Sequence, residues 1–457
     1  MKIAFFIHCF FPEHYNGTEV YTLELARRLQ ETGHQVVVVT AKFKGEAPRR
    51  GPVTRFFYEG VPVICFDKNH FLNRRVRDTY YQEAMREPLR EILNEIRPDI
   101  VHVTHLLNHT AVLLEVLKEM NIPSVATLTD FFGICYNNQM QDTSGSLCQG
   151  PNKDASNCLA CHFKERSRND HAGIKEKILG SSAFSEFFSK IIMAVSRKGI
   201  LAKDTRELAE DIAARPAVLK QAYHNYSAVI APSAFLKKMY ESHGFKSPVY
   251  RAPYGVDLPR LPKIPVSGAR PLRFCYVGQI AGHKGVHVLL EAFRRIPGRV
   301  AELHVYGSAE RSHYMDRLSR QARGCPVVFH GSVGRHKMAQ IYSEADFVII
   351  PSTWYENCPF VLIESLAQGT PVIASDVPGM SEFIKHGENG FLFPRGDAEA
   401  LYAVLRRIID EPQKSRSLSG ACSYAVTSRD VAGRVLEIYE SVLGLGNRVE
   451  VSREAGA

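Results

Sequence analysis

The chain has 457 residues, enough for two or three domains that each bury a hydrophobic core. Its composition, 45% hydrophobic and 23% charged, is ordinary for a globular protein, and no stretch approaches the ~20 apolar residues of a membrane span. The formal net charge of +9 is spread along the chain without the basic and aromatic patches typical of nucleic-acid binding, so we expect no nucleic-acid partner. An anionic ligand, or peripheral contact with the anionic inner face of a membrane, fits this charge better.

The first elements predict a β–α–β unit. Residues 2–11 and 35–40 are apolar runs typical of buried strands, and a helix is expected from about Glu19 to Thr32, where Gly33 stops it. The apolar start has no small-residue cleavage site, so we interpret it as a strand rather than a signal peptide and expect a cytoplasmic protein. Gly17 lies in the turn before the helix, where it either lets the backbone approach a phosphate or simply makes the turn.

Histidines gather around the next strand. Residues 41–98 are mixed, basic and aromatic and end in a helix over about 81–96, and residues 99–103 (DIVHV) read as a strand. His102, His105 and His109 follow one another here, but their spacing brings no carboxylate or cysteine, which argues against a metal. Residues 123–128 are the next strand, and Asp130 stands at its carboxyl end, where binding groups collect.

Four cysteines are clustered in a segment rich in Gly, Asn and Pro. The spacing C-x12-C-x9-C-x2-C suits a tetrahedral Zn²⁺ that would order the segment, with His162 able to replace one thiolate; free thiols are the alternative. The four residues are Cys135, Cys148, Cys158 and Cys161. The other cysteines are dispersed and are expected to be reduced core or loop thiols.

The middle of the chain separates two similar halves. Residues 164–225 are basic and predicted to be helical, and residues 228–233 (AVIAPS) are interpreted as the last strand of the first half, with Ser233 capping the next helix. Residues 258–271 are rich in proline and read as a linker. Repeated strand–helix units follow and predict a second parallel sheet, and a last helix is expected over about 429–443.

The most informative stretch is residues 351–376, PSTWYENCPFVLIESLAQGTPVIASD. It predicts a loop after a buried strand, a helix from Phe360 to about Gln368, and another strand. Glu364 lies on a helix that is apolar on nearly every face, so its carboxylate needs hydrogen-bond donors. Glu356 lies in the loop before that helix, whose start favours anions and hydroxyls. On spacing alone, an equal alternative is that Glu356 only complements the dipole at the helix start and that Glu364 is an exposed helix residue.

This stretch resembles the donor-site motif of the family-4 (GT4) retaining glycosyltransferases, which have the GT-B architecture. The resemblance implies that Glu356 contacts the transferring sugar and that Glu364 binds the ribose hydroxyls of a nucleotide. It also implies that loop amides hold sugar hydroxyls; these would belong to Asn357, Cys358, Pro359 and Phe360. The family often has glycine at the position of Cys358.

The resemblance extends to other loops. It assigns Gly17 and the segment from Gly278 and Gln279 to Lys284 to the donor diphosphate, with Lys284 as a cation on the leaving group. The family has a second cation at the position of Gln279, and Arg335 is a candidate to replace it. His105 and Asp130 are assigned catalytic roles near the donor sugar, although Thr104 and Thr129 stand where the family often has histidine. Some members also carry cysteines after the aspartate, which would make the four-cysteine segment structural.

The implied fold is α/β, with two Rossmann-like doubly wound domains facing across a cleft. The expected boundaries are 1–257 for an acceptor-side domain with a cysteine-rich and helical insertion at about 131–215, 258–271 for the linker, 272–425 for the nucleotide-sugar domain, and 426–457 for a helix that crosses back and a tail.

The implied function is transfer of a sugar from a UDP-, GDP- or ADP-sugar to a saccharide or lipid-linked acceptor, in the synthesis of a cell-surface glycan or a lipid-linked saccharide. No cofactor is expected for the chemistry, and a structural zinc ion is the expectation for the cysteines. Two alternatives stay open. One is a GT-B sugar-nucleotide epimerase, which would need no acceptor, and the other is a non-catalytic, zinc-stapled nucleotide-binding module.

Overall fold

The structure is a computed structural model that describes residues 1–43, 45–46, 51–167, 182–196, 198, 200–263, 270–309 and 312–445. The chain divides into two compact units. The first unit comprises Met1–Pro253 together with Ser428–Ala457, and the second comprises Tyr254–Thr427. Each unit is built on its own β-sheet.

The first unit contains an eight-stranded sheet in the order β3-β4-β2-β1-β5-β6-β7-β8. Its neighbouring strands are parallel except β3, which runs antiparallel to β4. Its central strands are apolar and buried on both faces, as expected where helices cover a parallel sheet. The strands are β1 Lys2–Phe6, β2 Gln35–Lys42, β3 Val53–Tyr58, β4 Val61–Asp67, β5 Ile100–Val103, β6 Ser124–Thr127, β7 Ala228–Ala231 and β8 Val249–Arg251.

Helices of the first unit follow the predicted apolar spacing. In α1, Leu23, Ala26 and Leu29 are buried at helical spacing against the sheet. Ser233 accepts a hydrogen bond from the Leu236 N–H and caps the following helix, as the sequence predicts. The helices are α1 Gly17–Glu31, α2 Arg86–Ile96, α3 Thr110–Glu119, α4 Ser156–Ser167, α5 Ser182–Ser196, α6 Lys203–Tyr223, α7 Ala234–Ser242 and, from the end of the chain, α14 Ser428–Leu443.

The last helix is tied to the sheet of the first unit. The α14 helix packs against α1, and its Tyr439 hydroxyl lies 2.5 Å from His102 Nδ1 on β5. The other ring nitrogen of His102 lies 2.8 Å from Thr127 Oγ1. Burial lowers the pKa of this histidine to about 3, so the ring is neutral and structural. The tail after residue 445 lies outside the described residues.

In the first unit, the β3–β4 hairpin was not predicted, and the prediction of the last strand is wrong. Residues 41–98, interpreted as mixed, contain the β3–β4 hairpin, whose loop is Glu59-Gly60 with positive φ at both residues. Positive φ at both positions suits a tight hairpin turn. Residues 228–233 are not the last strand either, because β8 pairs in parallel beyond β7.

The helical insertion has a small hydrophobic core of its own. Leu159 on α4, Met193 on α5 and Ile212 on α6 pack together with Cys158. The segment therefore has more apolar content available for packing than the cysteine-rich stretch alone suggests. Residues 168–181, which belong to the predicted insertion, lie outside the described residues.

The second unit contains a six-stranded parallel sheet in the order β11-β10-β9-β12-β13-β14. Counted from its first strand, this is the order 3-2-1-4-5-6 of doubly wound nucleotide-binding sheets. The strands are β9 Leu272–Val277, β10 Ala301–Tyr306, β11 Val327–Gly331, β12 Phe347–Ile350, β13 Val372–Ser375 and β14 Gly390–Phe393; the last of these was not predicted. The helices are α8 Val286–Phe293, α9 Ser312–Gln321, α10 Met338–Glu344, α11 Phe360–Ala367, α12 Ala398–Asp410 and α13 Pro412–Ser417.

The described part of the predicted linker lies along the second unit. The Leu261 N–H donates to Gln368 Oε1 at 3.1 Å. Lys263 Nζ donates to the backbone oxygens of Tyr342 and Ala345 at 2.9 and 2.8 Å. Residues 264–269 of that linker lie outside the described residues. Within the part of the chain that the structure describes, no helix has the length and apolarity needed to cross a bilayer.

Candidate active site

The site of the second unit forms where the strand order reverses. Strand β9 lies between β10 and β12, so the loops that follow β9 and β12 leave the same edge of the sheet side by side. Ligands of open α/β sheets bind at such switch points, outside the carboxyl ends of the strands. The two loops touch, because the Thr353 N–H donates to the His283 carbonyl at 2.8 Å. This contact brings residues from distant parts of the sequence together.

The Glu356 carboxylate is the centre of this site. It is 5% exposed, and its Oε1 accepts hydrogen bonds from Lys284 Nζ at 2.8 Å, Ser352 Oγ at 2.6 Å and Trp354 Nε1 at 2.9 Å. Lys284 Nζ also lies 4.8 Å from the centre of the Trp354 ring. Among the described residues, no hydrogen bond reaches Oε2. Glu356 therefore has one oxygen fixed by the protein and one that can accept from a ligand.

The environment of Glu356 keeps it ionised. Burial opposes ionisation, but the charge of Lys284 and the hydrogen bonds from Lys284, Ser352 and Trp354 outweigh burial and lower the pKa of the carboxyl below its ordinary value of 4.5. The site thus presents a fixed anion and a fixed cation at 2.8 Å from each other. The sequence predicted both residues; it did not predict that they pair.

Glycines permit the close approach of these loops. A Cβ atom on Gly285, where φ is +75°, would lie 1.8 Å from the Pro351 carbonyl oxygen. A Cβ atom on Gly379, where φ is +86°, would lie 1.8 Å from the Glu356 carbonyl oxygen. Neither position can hold a side chain without displacing the loop that carries Glu356.

The loop before α11 differs in one respect from the expectation. The Cys358 N–H donates to the Gly379 carbonyl at 3.2 Å, and Pro359 has no N–H, so in this arrangement neither amide can hold a sugar hydroxyl. For Asn357 and Phe360 that role stays a prediction. Cys358 has φ of +57°, in the region that favours glycine, and its side chain is buried. This backbone geometry explains why glycine would suit the position.

The Glu364 carboxylate is buried and paired. Its Oε1 accepts from Arg335 at 2.8 Å, and its Oε2 accepts from the Tyr342 hydroxyl at 2.9 Å. The guanidinium also lies 5.8 Å from the centre of the Phe360 ring. Arg335, which was predicted to replace a cation on the diphosphate, pairs with this carboxylate here. The expected need for a hydrogen-bond partner of Glu364 is therefore already met within the second unit.

Gly278 and Gln279 lie at the carboxyl end of β9. The Gly278 N–H donates to the Tyr306 carbonyl at 3.0 Å, and the Gln279 carbonyl accepts from the Tyr276 hydroxyl at 2.6 Å. These bonds fix the path of the loop toward Lys284. The Gln279 side chain is uncharged, so the cation that this loop brings to Glu356 is Lys284.

A second switch point lies in the first unit, between β1 and β5. His105 Nε2 lies 2.7 Å from Asp130 Oδ2, and the Leu107 N–H donates to His105 Nδ1 at 3.1 Å. Because Nδ1 accepts a hydrogen bond, Nε2 carries the proton and donates to Asp130. The structure thus brings His105 and Asp130 together. Both ring nitrogens are engaged within the first unit, and the catalytic roles stay predictions.

A group that the sequence analysis missed lies beside this pair. His8, Cys9 and Glu19 place their ligand atoms within 4.8 Å of one another, and the His8 and His105 rings are 4.0 Å apart. Gly17 begins α1 next to this group. Glu19 lies ten residues after Cys9 in the sequence, and no short sequence motif predicts that the two side chains are in contact. Of the three predicted histidines, His109 instead bonds to the Ile7 carbonyl at 2.9 Å.

The four clustered cysteines are neighbours in space. Cys135 and Cys158 are buried, and Cys148 and Cys161 are half-buried. Burial, followed by the charges of Cys135 and Cys148, raises the pKa of the Cys161 thiol to about 12. The Met140 N–H donates to Cys135 Sγ and the Gly150 N–H to Cys148 Sγ, at 3.4 and 3.3 Å. Among the described residues, however, no three of these sulfurs lie within 4.8 Å of one another.

Family models match both units of the chain. The model described as "Glycosyl transferases group 1" matches residues 260–421, and the model described as "Glycosyltransferase Family 4" matches residues 15–139. Residues 140–259 fall between the two matches, so most of the cysteine-rich insertion is covered by neither.

Curated relatives match parts of the chain. An uncharacterised glycosyltransferase of Methanocaldococcus jannaschii is 36% identical over 138 residues, which are 30% of this chain and 35% of that protein. The phosphatidyl-myo-inositol mannosyltransferase of Mycobacterium leprae is 28% identical over 231 residues, 48% of this chain and 60% of that protein. The chain thus spans about one third to three fifths of the length of these relatives.

Solved structures match nearly the whole chain. HepE of Anabaena in complex with UDP and glucose superposes with a TM-score of 0.62 at 16% identity, covering 96% of this chain and 100% of that one. Sucrose-phosphate synthase of Thermosynechococcus elongatus gives a TM-score of 0.61 at 18% identity, covering 97% and 99%. The fold is therefore GT-B, as the sequence predicted. The two family models together match more than half of the residues, and the chain belongs to the family-4 glycosyltransferases.

Proposed function

We propose that the protein is a retaining glycosyltransferase that moves a sugar from a UDP-, GDP- or ADP-sugar to a saccharide or lipid-linked acceptor. The observation that carries this proposal is the contact of Lys284 with Glu356 at the switch point of the second unit. A fixed cation beside a carboxylate with one open oxygen suits a substrate that has a diphosphate next to sugar hydroxyls. No cofactor is assigned to the chemistry.

Each charged group has a distinct task in this proposal. Glu356 Oε2 accepts a hydrogen bond from a hydroxyl of the transferring sugar, because Oε1 already accepts hydrogen bonds from three protein donors. Lys284 stabilises the negative charge that develops on the leaving diphosphate. Glu364 accepts hydrogen bonds from the ribose hydroxyls beside those from Arg335 and Tyr342, since a carboxylate oxygen can accept more than one hydrogen bond.

The transfer keeps the anomeric configuration through the leaving group. The bond between the anomeric carbon and the phosphate oxygen breaks, and the bond to the acceptor oxygen forms on the same face of the sugar. The acceptor proton passes to the departing phosphate. This route needs no second carboxylate at the spacing used by glycoside hydrolases. In this proposal His105 and Asp130 have catalytic roles near the donor sugar, and their hydrogen bond holds the imidazole ring in one orientation.

The relatives support this class of donor and acceptor. HepE of Anabaena was solved with UDP and with UDP-glucose, and starch synthase IV of Arabidopsis with ADP and acarbose. The curated relatives include the phosphatidyl-myo-inositol mannosyltransferase, which is named for a lipid acceptor, and a glycosyltransferase of amylovoran biosynthesis. The net charge of +9 supports work at an anionic membrane face, on the cytoplasmic side.

A donor panel tests the proposed function. The purified protein is incubated with UDP-, GDP- and ADP-sugars, alone and with saccharide or lipid-linked acceptors, and the products are analysed by NMR at the anomeric centre. We expect transfer with the donor's anomeric configuration only when an acceptor is present. Rearrangement of the donor without an acceptor would instead identify an epimerase. Binding without any turnover across the panel would identify a nucleotide-binding module.

We also propose that the four clustered cysteines hold a structural zinc ion. The amide donors to Cys135 Sγ and Cys148 Sγ support this, because hydrogen bonds to sulfur stabilise thiolate ligands. The ion would draw the sulfurs closer than they stand here and would order the loop that they bracket.

A further inference from the structure

The His8, Cys9 and Glu19 side chains converge at the carboxyl end of β1 and the start of α1. Cys9 Sγ lies 3.3 Å from Glu19 Oε1, and His8 Nε2 lies 3.7 Å from the same oxygen. All three ligand atoms lie within 4.8 Å of one another. We propose that these three residues bind a transition-metal ion of the Zn²⁺ class, in a site separate from the four-cysteine segment.

The spacing of the three atoms suits a tetrahedral ion. With metal–sulfur bonds of about 2.3 Å and metal–nitrogen and metal–oxygen bonds of about 2.0 Å, tetrahedral angles put sulfur about 3.5 Å and nitrogen about 3.3 Å from the carboxylate oxygen. The observed separations of 3.3 and 3.7 Å are within a few tenths of an ångström of these values. The sulfur and nitrogen atoms lie within 4.8 Å of each other, so side-chain movements of about 1 Å would bring the three atoms to one face of a tetrahedron. One coordination position would then be left for water or another ligand.

The hydrogen bonding of His8 is incomplete without an ion. Its Nδ1 is buried and has no hydrogen-bond partner among the described residues, and its Nε2 is beyond hydrogen-bond distance of Glu19. Buried imidazoles ordinarily have partners, so an unpartnered ring beside a carboxylate and a thiol calls for an explanation. A metal ion would give the Nε2 atom of this ring a partner, while Nδ1 would keep its proton and stay without one.

The rest of the group is prepared for coordination. The Asn16 N–H donates to Glu19 Oε2 at 2.7 Å, which holds the carboxylate so that Oε1 faces Cys9 and His8. Such second contacts orient metal ligands and raise affinity. Glu19 and Cys9 are buried, at 1% and 2% exposure, whereas the His8 side chain is 17% exposed and gives access from solvent.

Charge is balanced when the ion binds. The Cys9 thiol, which donates to Glu19 Oε1 in this structure, loses its proton to solvent and becomes a thiolate ligand. One thiolate and one carboxylate then neutralise a divalent cation, so the buried site carries no net charge. A mixed nitrogen, sulfur and oxygen set favours Zn²⁺ or Co²⁺ over Mg²⁺ or Ca²⁺, which prefer oxygen alone.

Cobalt titration tests this site. The full chain carrying Cys158→Ser and Cys161→Ser, which disables the four-cysteine segment, is stripped with a chelator and titrated with Co²⁺. The readout is the thiolate-to-cobalt charge-transfer absorption. The same titration is run after adding Cys9→Ser, His8→Gln or Glu19→Gln, and after adding the control Cys65→Ser, which removes another buried thiol of the first unit.

We expect the parent to bind a single Co²⁺ with a charge-transfer band, Cys9→Ser to abolish the band, and His8→Gln and Glu19→Gln to weaken binding at least about tenfold. Cys65→Ser should bind as the parent does. Circular dichroism checks that each variant is folded. If the chain carrying Cys158→Ser and Cys161→Ser does not fold, zinc content is measured instead. The single variant His8→Gln should then contain one zinc ion fewer per chain than the wild type. A parent that shows no band, or a band and affinity unchanged by both Cys9→Ser and His8→Gln, would overturn the proposal.

Discussion

Lys284 Nζ donates to Glu356 Oε1 at 2.8 Å, across 72 positions of sequence. The two residues meet because β9 and β12 are neighbours in the sheet of the second unit and their loops leave the same edge. The pairing fixes the orientation of both side chains, and among the described residues no donor reaches the second oxygen of the carboxylate.

Replacing Lys284 by Gln should lower turnover about 10²- to 10³-fold, the loss typical when a single group that stabilises developing charge is removed. Lys337→Gln, on an exposed surface of the same unit, is the matched control and should keep wild-type turnover. Steady-state rates with the donor identified in the panel provide the measurement. Full activity of Lys284→Gln would show that this cation has no part in the reaction.

Glu356→Gln should change how stability depends on pH. The pKa of Glu356 is lowered in the folded state, so its ionised form contributes stability above the ordinary value of 4.5, and that contribution is lost as the pH falls through the lower, folded pKa. The difference in unfolding free energy between wild type and variant should therefore shrink as the pH falls below about 4.5. Urea unfolding between neutral and acidic pH measures it, and a difference independent of pH would contradict the assignment.

Gly285→Ala should destabilise the second unit by more than about 3 kcal/mol, because its Cβ would lie 1.8 Å from the Pro351 carbonyl oxygen at a positive φ. Gly282→Ala, in the same loop, meets no atom within 4 Å and should change stability by less than about 0.5 kcal/mol. Denaturant unfolding of both variants gives the comparison. Equal stability of the two would mean that the β9 and β12 loops do not approach each other as described.

Tyr342→Phe should cost about 1–3 kcal/mol of stability, because it leaves Oε2 of the buried Glu364 without its hydroxyl donor. The control is Tyr402→Phe, whose ring contacts Arg295 through its face and keeps that contact. Chemical denaturation reports both free energies. If the two variants lose the same small amount, the hydroxyl does not support the carboxylate.

The four-cysteine segment should carry zinc that the double variant Cys158→Ser, Cys161→Ser lacks. Metal analysis of both proteins after dialysis measures the difference, and we expect one zinc ion fewer per chain in the variant, with greater protease sensitivity between residues 135 and 161. Cys325→Ser, remote in the second unit, is the control. Equal zinc contents would leave these residues as free thiols.

Much of the fold can be predicted from the sequence. In both halves of the chain, short apolar runs typical of strands alternate with segments whose apolar residues recur at helical spacing. The β3–β4 hairpin was missed because its turn is Glu59-Gly60 rather than the usual Asn-Gly or Asp-Gly. Gly60 is the one residue of this turn that is typical of such hairpins. Strands β8 and β14 were missed because each is only three or four residues long and lies at the end of its sheet.

The candidate site was predicted residue by residue but not as a set of contacts. Glu356, Glu364 and Lys284 stood out through the resemblance, while Ser352 and Trp354, in the same loop, did not. Their donation to one carboxylate oxygen depends on the loop's path, which local sequence does not specify. His8, Cys9 and Glu19 were missed for the same reason, since only the β1–α1 packing brings them together.

Nucleotide binding by the second unit tests the central claim most directly. Melting temperatures of the wild type and of Lys284→Gln are measured with UDP, GDP and ADP. A ligand at 100 times its dissociation constant adds about 2.7 kcal/mol of stability. We predict that at least one nucleoside diphosphate raises the wild-type melting temperature by several degrees and raises that of Lys284→Gln markedly less. If no nucleoside diphosphate shifts the wild type, or if both proteins shift equally, Lys284 and Glu356 do not mark the donor site.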